Sequence, residues 1–340
     1  MGEKELIRFG VIGAGRIGKI HAENLATRIP GVKVEAIADP IVAAARETAG
    51  RLHIPIATAD HLEILNDPRV DAVAICSSTD THAQMIIEAA QAGKQIFCEK
   101  PIAYNLKRID EALEAVKKAG VKLQVGFNRR FDPNFSKVRQ MVIEGKVGEP
   151  HILRITSRDP APPPIEYVKV SGGMFFDMTI HDFDMSRFLM GSDVEEVYVA
   201  AGVLVDPKIG EAGDVDTAVI TLRFKNGAIG TIDNSRRAIY GYDQRVEVFG
   251  SGGMVAALND TADSHVYSDE KGIHSAKPLY FFLERYTESF IAEMKAFVES
   301  IQQDKEPPVN GKDGRIPVVM AMAATKSYKE HRPVRLSEIE

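Results

Sequence analysis

Arg8-Phe9-Gly10-Val11-Ile12-Gly13-Ala14-Gly15-Arg16-Ile17-Gly18 is the stretch that decides the fold. A short apolar run leads straight into G-x-G-x-x-G, and a helical pattern continues from Lys19 to Arg28. Strand, glycine turn and helix in that order form the context in which this motif carries information. Gly13 permits the tight turn, Gly15 lets the backbone approach a pyrophosphate, and Gly18 lets helix and strand pack closely. The helix N-terminus then offers N–H groups and a partial positive charge to phosphates. By itself a glycine-rich turn is common in α/β proteins, so the residues downstream of it carry weight.

A second strand, Val32 to Ala38, ends in Asp39, about 20 residues past Gly18, where an acidic residue meets the adenosine ribose hydroxyls. An Asp there also repels a 2′-phosphate, by about 4 kcal/mol at ~4 Å and an effective dielectric of ~20. Pro40 is next, with no Arg beside it to hold such a phosphate. NAD is therefore expected over NADP. The alternative is Asp39 as a turn or helix-cap residue.

Working outward, strands and helices alternate. Strands are expected over 54–58, 70–76, 95–98 and 121–127, with helices around 61–65, 81–92 and 106–119; Asp60 and Asn105 stand at cap positions, and Gly93 and Gly120 as stops. Apolar strands alternating with helices imply a parallel sheet covered on both faces. Ligands of such sheets lie at the carboxyl ends of the strands. Ser77-Ser78-Thr79-Asp80 and Glu99-Lys100-Pro101 sit at two of those ends. Lys100 is thus placed toward the cofactor crevice, against the alternative of a solvated surface charge, and a cis Lys100–Pro101 bond would set its direction.

Past residue 126 the pattern changes. Arg129 and Arg130 would line a polar pocket or pair with acids. A helix is expected over 136–144, then a strand over 151–158, then the stiff segment Asp159-Pro160-Ala161-Pro162-Pro163-Pro164, read as a pocket wall. Strand-like runs come next at 194–205, 217–224, 228–235, 244–249 and 254–258, with Lys225-Asn226-Gly227 as a hairpin signal. Helical patterns around 280–301 and 314–329 close the chain. The fold class expected is α/β: a dinucleotide-binding Rossmann domain, 1–126, and an α/β domain with a largely antiparallel open sheet, 127–340. The last helix is free to pack back on the first domain.

Between these strands and the proline segment lies Gly172-Gly173-Met174-Phe175-Phe176-Asp177-Met178-Thr179-Ile180-His181-Asp182-Phe183-Asp184. If the run is helical, Asp177 and His181 at i and i+4 project from one face. An imidazole beside a carboxylate suits removal of a proton from an alcohol near neutral pH. The paired glycines let the chain approach a ligand. A metal site built on Asp177, Asp182 and Asp184 around His181 is the alternative, but Asp182 would point elsewhere on a helix, and no metal is expected.

Composition bounds the rest. At 340 residues, and roughly 150 residues per domain, about two domains are expected. Hydrophobic residues make up 44% and charged residues 26%, which suits a globular protein with a sizeable core. The net charge of −6 argues against a nucleic-acid partner. No apolar run approaches the length of a membrane span. Met1-Gly2-Glu3-Lys4-Glu5 has no signal-peptide layout, and Leu6 stands where a myristoylation site needs Ser or Thr. Cys76 and Cys98 lie in apolar runs and are read as buried, reduced thiols of a cytoplasmic protein.

Taken together, Gly13-Ala14-Gly15-Arg16-Ile17-Gly18 with His21, Glu99-Lys100-Pro101, and Gly172-Gly173 leading to Asp177 and His181 resemble the oxidoreductases named after glucose–fructose oxidoreductase, inositol dehydrogenase and the rhizopine-catabolism protein. The likeness spans nearly the whole chain. Asn128-Arg129-Arg130-Phe131-Asp132, the proline segment with Arg158, and 177–184 point to the inositol-oxidising branch. The resemblance implies a lysine–aspartate–histidine catalytic set at Lys100, Asp177 and His181. Cofactor contacts are expected from Gly13, Gly15, Arg16, Ile17, Gly18, Asp39, Ser77, Thr79, His82, Glu99 and Lys100. Lys100, Arg130, Asp159, Asp177, His181, Tyr240 and Tyr286 are expected at a polyol. It further implies oxidation of a secondary hydroxyl of a cyclic polyol, myo-inositol to 2-keto-myo-inositol, and a homotetramer assembled through the open sheet. Scyllo- or chiro-inositol, glucose and anhydrosugars are the alternative substrates. Two other classes are a non-catalytic NAD sensor, which has no reason to keep Lys100, Asp177 and His181 together, and an NAD-dependent hydrolase without net redox change. No G-x-S-x-G stretch supports a serine hydrolase.

Overall fold

The computed structural model describes residues 6–339. Residues 1–5, on which the expectation of no leader rests and which include the Gly2 of the myristoylation reading, lie outside the described residues. By internal packing the chain divides into two units. One runs to Phe131 and takes in Glu288–Val318; the other comprises Asp132–Thr287 and Val319–Glu340.

The first unit holds a six-stranded sheet: β1 Ile7–Ile12, β2 Val32–Ala38, β3 Ile56–Thr58, β4 Ala72–Ile75, β5 Gln95–Glu99 and β6 Leu123–Gly126. Their order is β3-β2-β1-β4-β5-β6, and every neighbouring pair is parallel. This is the doubly wound order whose direction reverses between β1 and β4. The connecting helices are α1 Arg16–Thr27, α2 Val42–Leu52, α3 His61–Leu65, α4 Thr79–Gln91 and α5 Leu106–Ala119. Asp60 caps α3 by accepting the Leu62 N–H, and Gly120 ends α5 in the left-handed region. The central strands are buried throughout because helices cover both faces, hence their unbroken apolar runs. The returning segment contributes Met294, Phe297 and Val298 to that core. Phe297 packs at 6.1 Å from the Phe9 ring and 6.2 Å from Phe97.

The second unit begins with α6 Pro133–Ile143, whose Asp132 cap accepts the N–H groups of Asn134 and Phe135. Its main sheet is built from β7 Pro150–Arg158, β8 Val194–Gly202, β9 Thr217–Phe224, β10 Ile229–Ser235, β11 Asp243–Gly250, β12 Gly253–Ala257 and β15 Val334–Arg335. The order is β12-β11-β7-β10-β9-β8-β15. Every junction is antiparallel except β7 with β10. Buried and exposed residues alternate along β9 and β10, so one face is packed and the other open. The packed face carries α9 Thr179–Met190, tied down where Thr179 Oγ1 donates to Asn234 Oδ1 at 2.6 Å and Asn234 Nδ2 donates to Asp182 at 2.8 Å. Shorter helices are α7 Ile165–Val168, α8 Met174–Asp177, α10 Pro207–Glu211 and α11 Phe282–Arg285. A small hairpin, β13 Val266–Asp269 with β14 Gly272–Ser275, was not expected from the sequence; its residues are almost all exposed, so no apolar alternation marks it.

Two helical expectations change. The run 172–184 is not one helix: Met178 interrupts it between α8 and α9. The run 280–301 is likewise broken, at Tyr286, between α11 and a helix over Thr287–Gln302. Each interruption sits at a side chain held by burial, Met178 at 5% exposure and Tyr286 at 2%, so tertiary packing overrides a continuous helical pattern.

Candidate active site

The glycine turn is built as its spacing requires. Gly13 has φ +105°, and a Cβ there would lie 2.5 Å from the Cys76 carbonyl oxygen. A Cβ on Gly18 would lie 1.9 Å from the Gly13 carbonyl oxygen. Beside Gly15 an added Cβ meets nothing within 4 Å. Gly15 is the N-cap of α1, and no side chain among the described residues caps that first turn. Open space in front of uncapped N–H groups fits a pyrophosphate. Arg16 is exposed and Ile17 half-buried beside it.

Asp39 ends β2 and braces the turn. Its Oδ2 accepts the Ala14 N–H at 2.7 Å, and its Oδ1 accepts the Ile41 N–H at 2.8 Å. The turn role weighed against the ribose role is therefore present; each oxygen retains acceptor capacity for a hydroxyl.

At the ends of β4 and β5 the side chains interlock. Ser77 Oγ and Thr81 Oγ1 are 2.7 Å apart, and Thr79 opens α4 half-buried. His82 is buried, with Nδ1 2.8 Å from the Pro101 carbonyl and Nε2 3.1 Å from the Ser77 carbonyl. Burial pushes its imidazole down, so it is neutral and donates one N–H. His82 thus joins the two strand ends that carry Ser77 and Lys100. The Lys100–Pro101 peptide is cis, and Lys100 is half-buried.

Glu99 accepts from His21 Nε2 at 2.7 Å, and Glu293 lies 3.8 Å from the same nitrogen. Glu293, which no sequence motif marks, is fully buried, and burial together with the Glu99 charge pushes its carboxyl well up. Cys76 and Cys98 are free, buried thiols whose ionisation burial also suppresses.

In the second unit Asp177 ends α8 and His181 lies in the first turn of α9, so a single-helix face does not set their relation. Asp177 is held instead from other elements. Its Oδ1 accepts the Tyr167 hydroxyl at 2.8 Å, and its Oδ2 accepts from Arg236 Nη1 at 3.0 Å. Arg236 Nη1 is also 3.5 Å from Asp159 Oδ2. The paired glycines serve the backbone: Gly172 and Gly173 have φ +82° and +84°. A Cβ on Gly173 would lie 2.9 Å from Asp214 Oδ1, which accepts the Met174 N–H at 3.0 Å. The close approach that Gly173 permits is thus to Asp214.

Tyr240 is 40% exposed; its hydroxyl donates to Asp243 at 2.6 Å and accepts from Arg158 at 3.1 Å. Tyr286 is buried, 6.0 Å from the Tyr242 ring and under the Arg285 guanidinium. In the first unit Arg130 pairs with Asp313 at 3.0 Å. Asp214 and Arg236 are not marked by the sequence, because each reaches Asp177 or its helix from a distant element; Tyr167, on the preceding helix α7, is marked by no motif. Only the clustering of Ser235-Arg236-Arg237 at the end of a strand hints at Arg236.

The doubly wound sheet and its glycine turn define a dinucleotide-binding protein with a second α/β unit. The chain belongs to the GFO/IDH/MocA oxidoreductase family. Residues 7–127 match the model described as oxidoreductase family, NAD-binding Rossmann fold, and residues 135–256 match the GFO/IDH/MocA C-terminal domain. The chain is 53% identical to myo-inositol 2-dehydrogenase of Thermotoga maritima, over 98% of this chain and 99% of that protein. It is 45% identical to inositol 2-dehydrogenase of Rhizobium meliloti, over 97% and 99%. The structure of scyllo-inositol dehydrogenase from Lactobacillus casei with bound NAD(H) and scyllo-inositol superposes with a TM-score of 0.91 at 29% identity, covering 98% of this chain and 100% of that one.

Proposed function

We propose that the chain is an NAD-dependent inositol 2-dehydrogenase that oxidises a secondary ring hydroxyl, myo-inositol to 2-keto-myo-inositol. The observation that carries this is the 53% identity to the Thermotoga maritima enzyme over almost the full length of both chains. A second reading, oxidation of scyllo-inositol, is favoured by the likeness to the Lactobacillus casei structure. An NADH-absorbance screen over myo-, scyllo- and chiro-inositol, glucose and anhydrosugars decides between them. NADH that fails to accumulate with every one of these would overturn both.

NAD, when bound, supplies the hydride acceptor. We assign its pyrophosphate to Gly13, Gly15, Arg16, Ile17 and Gly18, its ribose to Asp39, and its remaining contacts to Ser77, Thr79, His82, Glu99 and Lys100. The open space at Gly15 and the uncapped N-terminus of α1 support that assignment. As the carbinol C–H bond breaks, His181 takes the hydroxyl proton onto its imidazole. Asp177 stabilises the imidazolium that forms, and the Lys100 ammonium lowers the cost of charge on the oxygen. Arg130, Asp159, Tyr240 and Tyr286 are proposed to receive the other hydroxyls.

Residues 1–126 are proposed as the NAD-binding domain and 127–340 as the substrate and assembly domain. The protein is proposed to be a cytoplasmic homotetramer with no nucleic-acid or membrane partner; among the described residues, no helix is long and apolar enough to cross a membrane. The open face of the second sheet supports assembly. Tyr198, Val219, Ile229, Phe249 and Met254 are more than 40% exposed there, one on each of β8 to β12.

A further inference from the structure

We propose that Arg236 is a positioning residue that sets the orientation of both Asp177 and Asp159, so that one buried cation aligns the proton-accepting pair and a polyol contact together. The proposal rests on Asp177 assisting the His181 base and on Asp159 contacting the polyol. Arg236 is 3% exposed. Its Nη1 lies 3.0 Å from Asp177 Oδ2 and 3.5 Å from Asp159 Oδ2. The three residues come from different places: Asp177 ends α8, Asp159 comes directly after β7, and Arg236 directly after β10. Main-chain bonds lock the two strand ends in register. Asp159 N–H donates to the Ser235 carbonyl at 2.9 Å, Arg236 N–H to the Asp216 carbonyl at 2.8 Å, and Ala238 N–H to the Asp159 carbonyl at 2.6 Å. With Tyr167 on its other oxygen, Asp177 is clamped from both sides.

Most buried side-chain N–H groups have an acceptor, and an exception calls for a reason. Here Nε and Nη2 are buried and find no acceptor among the described residues. Burial works against the charge, and the carboxylates of Asp177, Asp159 and Asp214 outweigh it. Asp214 faces the same guanidinium, and burial pushes its carboxyl up. An uncharged donor would satisfy Asp177 without burying a cation. A guanidinium adds a fixed positive charge shared by two carboxylates that would otherwise repel one another. Preorganised charge of this kind is useful at a reacting centre and unfavourable elsewhere.

The test is steady-state kinetics of the full chain with NAD and myo-inositol, alongside NAD titration. The variants are Arg236→Gln, Arg236→Lys, Asp177→Asn and the Arg236→Gln/Asp177→Asn double. Arg236→Gln is expected to lower kcat on the order of 10²-fold and to raise the polyol KM, with NAD affinity unchanged. Arg236→Lys is expected to recover a large part of kcat. In the Asp177→Asn background, Arg236→Gln is expected to cost less than about threefold more in kcat, because its effect on kcat passes through Asp177, while the rise in polyol KM that passes through Asp159 remains. Losses that multiply in the double variant, a Lys no better than Gln, or an Arg236→Gln enzyme with parental kcat would each overturn the proposal. If Arg236→Gln does not fold, Arg236→Met, which keeps the length of the side chain without its charge, makes the same comparison with and without Asp177→Asn. Parental activity in Asp177→Asn would sink the catalytic reading itself; a slow Asp177→Asn beside a normal Arg236→Gln sinks only the positioning role.

Discussion

Asp39 carries two duties that a single substitution can separate. Its oxygens brace the glycine turn through Ala14 and Ile41, and its charge is proposed to oppose a 2′-phosphate. Asp39→Asn keeps an acceptor oxygen and removes the charge. The NAD-over-NADP ratio of kcat/KM is expected to fall roughly tenfold or more, toward the limit set by a repulsion of about 4 kcal/mol; an unchanged ratio would show that the charge is not the discriminator. Lys100→Ala and His181→Ala address the chemistry itself. Each is expected to lower kcat on the order of 10²–10⁴-fold, the range for a residue that moves or stabilises a proton. NAD affinity, measured by titration, should survive the His181 change. Normal turnover in either variant would remove that residue from the mechanism.

At the level of elements, the break at Met178 alters how Asp177 is understood. A continuous helix would hold Asp177 and His181 by their i, i+4 spacing alone. In the broken form, the orientation of Asp177 depends on Tyr167 and Arg236, each brought from another element. The turn before α8 depends on Gly173, with φ +84° and Asp214 packed where a Cβ would go. Gly173→Ala is expected to destabilise the chain by about 1–3 kcal/mol, read as a lower midpoint in urea, through the strained backbone and the displaced Asp214. A midpoint equal to the parent's would mean that the turn relaxes without cost. The proline segment beside Asp159 forms no helix or strand, as its composition requires.

On the scale of the whole molecule, Glu293 links stability to pH. Burial and Glu99 raise its carboxyl well above the ordinary value of 4.5, so folding takes up a proton. Its stabilising contribution is therefore complete below about pH 4.5 and is lost as pH rises toward the folded-state value. Glu293→Gln mimics the neutral acid and removes the dependence. The variant's advantage in stability, read as a growing difference in thermal midpoint, is expected to widen with pH above 4.5, by up to about 1.4 kcal/mol per pH unit while the folded state keeps its proton. Parallel midpoint curves would rule out a neutral Glu293. Assembly is tested from the open sheet face: Val219→Glu places a charge on β9, where Val219 is 52% exposed. Sedimentation is expected to show a smaller species than the parent; an unchanged mass would exclude this face as an interface.

Local order was written into the chain. The glycine turn, the alternating strands and helices of the parallel sheet, and the hairpin at Lys225-Asn226-Gly227 depend on neighbours a few residues away, and their signals are periodicity and backbone freedom. The parallel junction of β7 with β10 and the return of Glu288–Val318 to the first core were decided by packing, as was the interrupted helix at Met178. So were the partners of Asp177. Tyr167 reaches it from the helix just before, but Arg236 becomes its neighbour only when distant strands and helices fold together, and no linear spacing encodes a contact closed across such a loop.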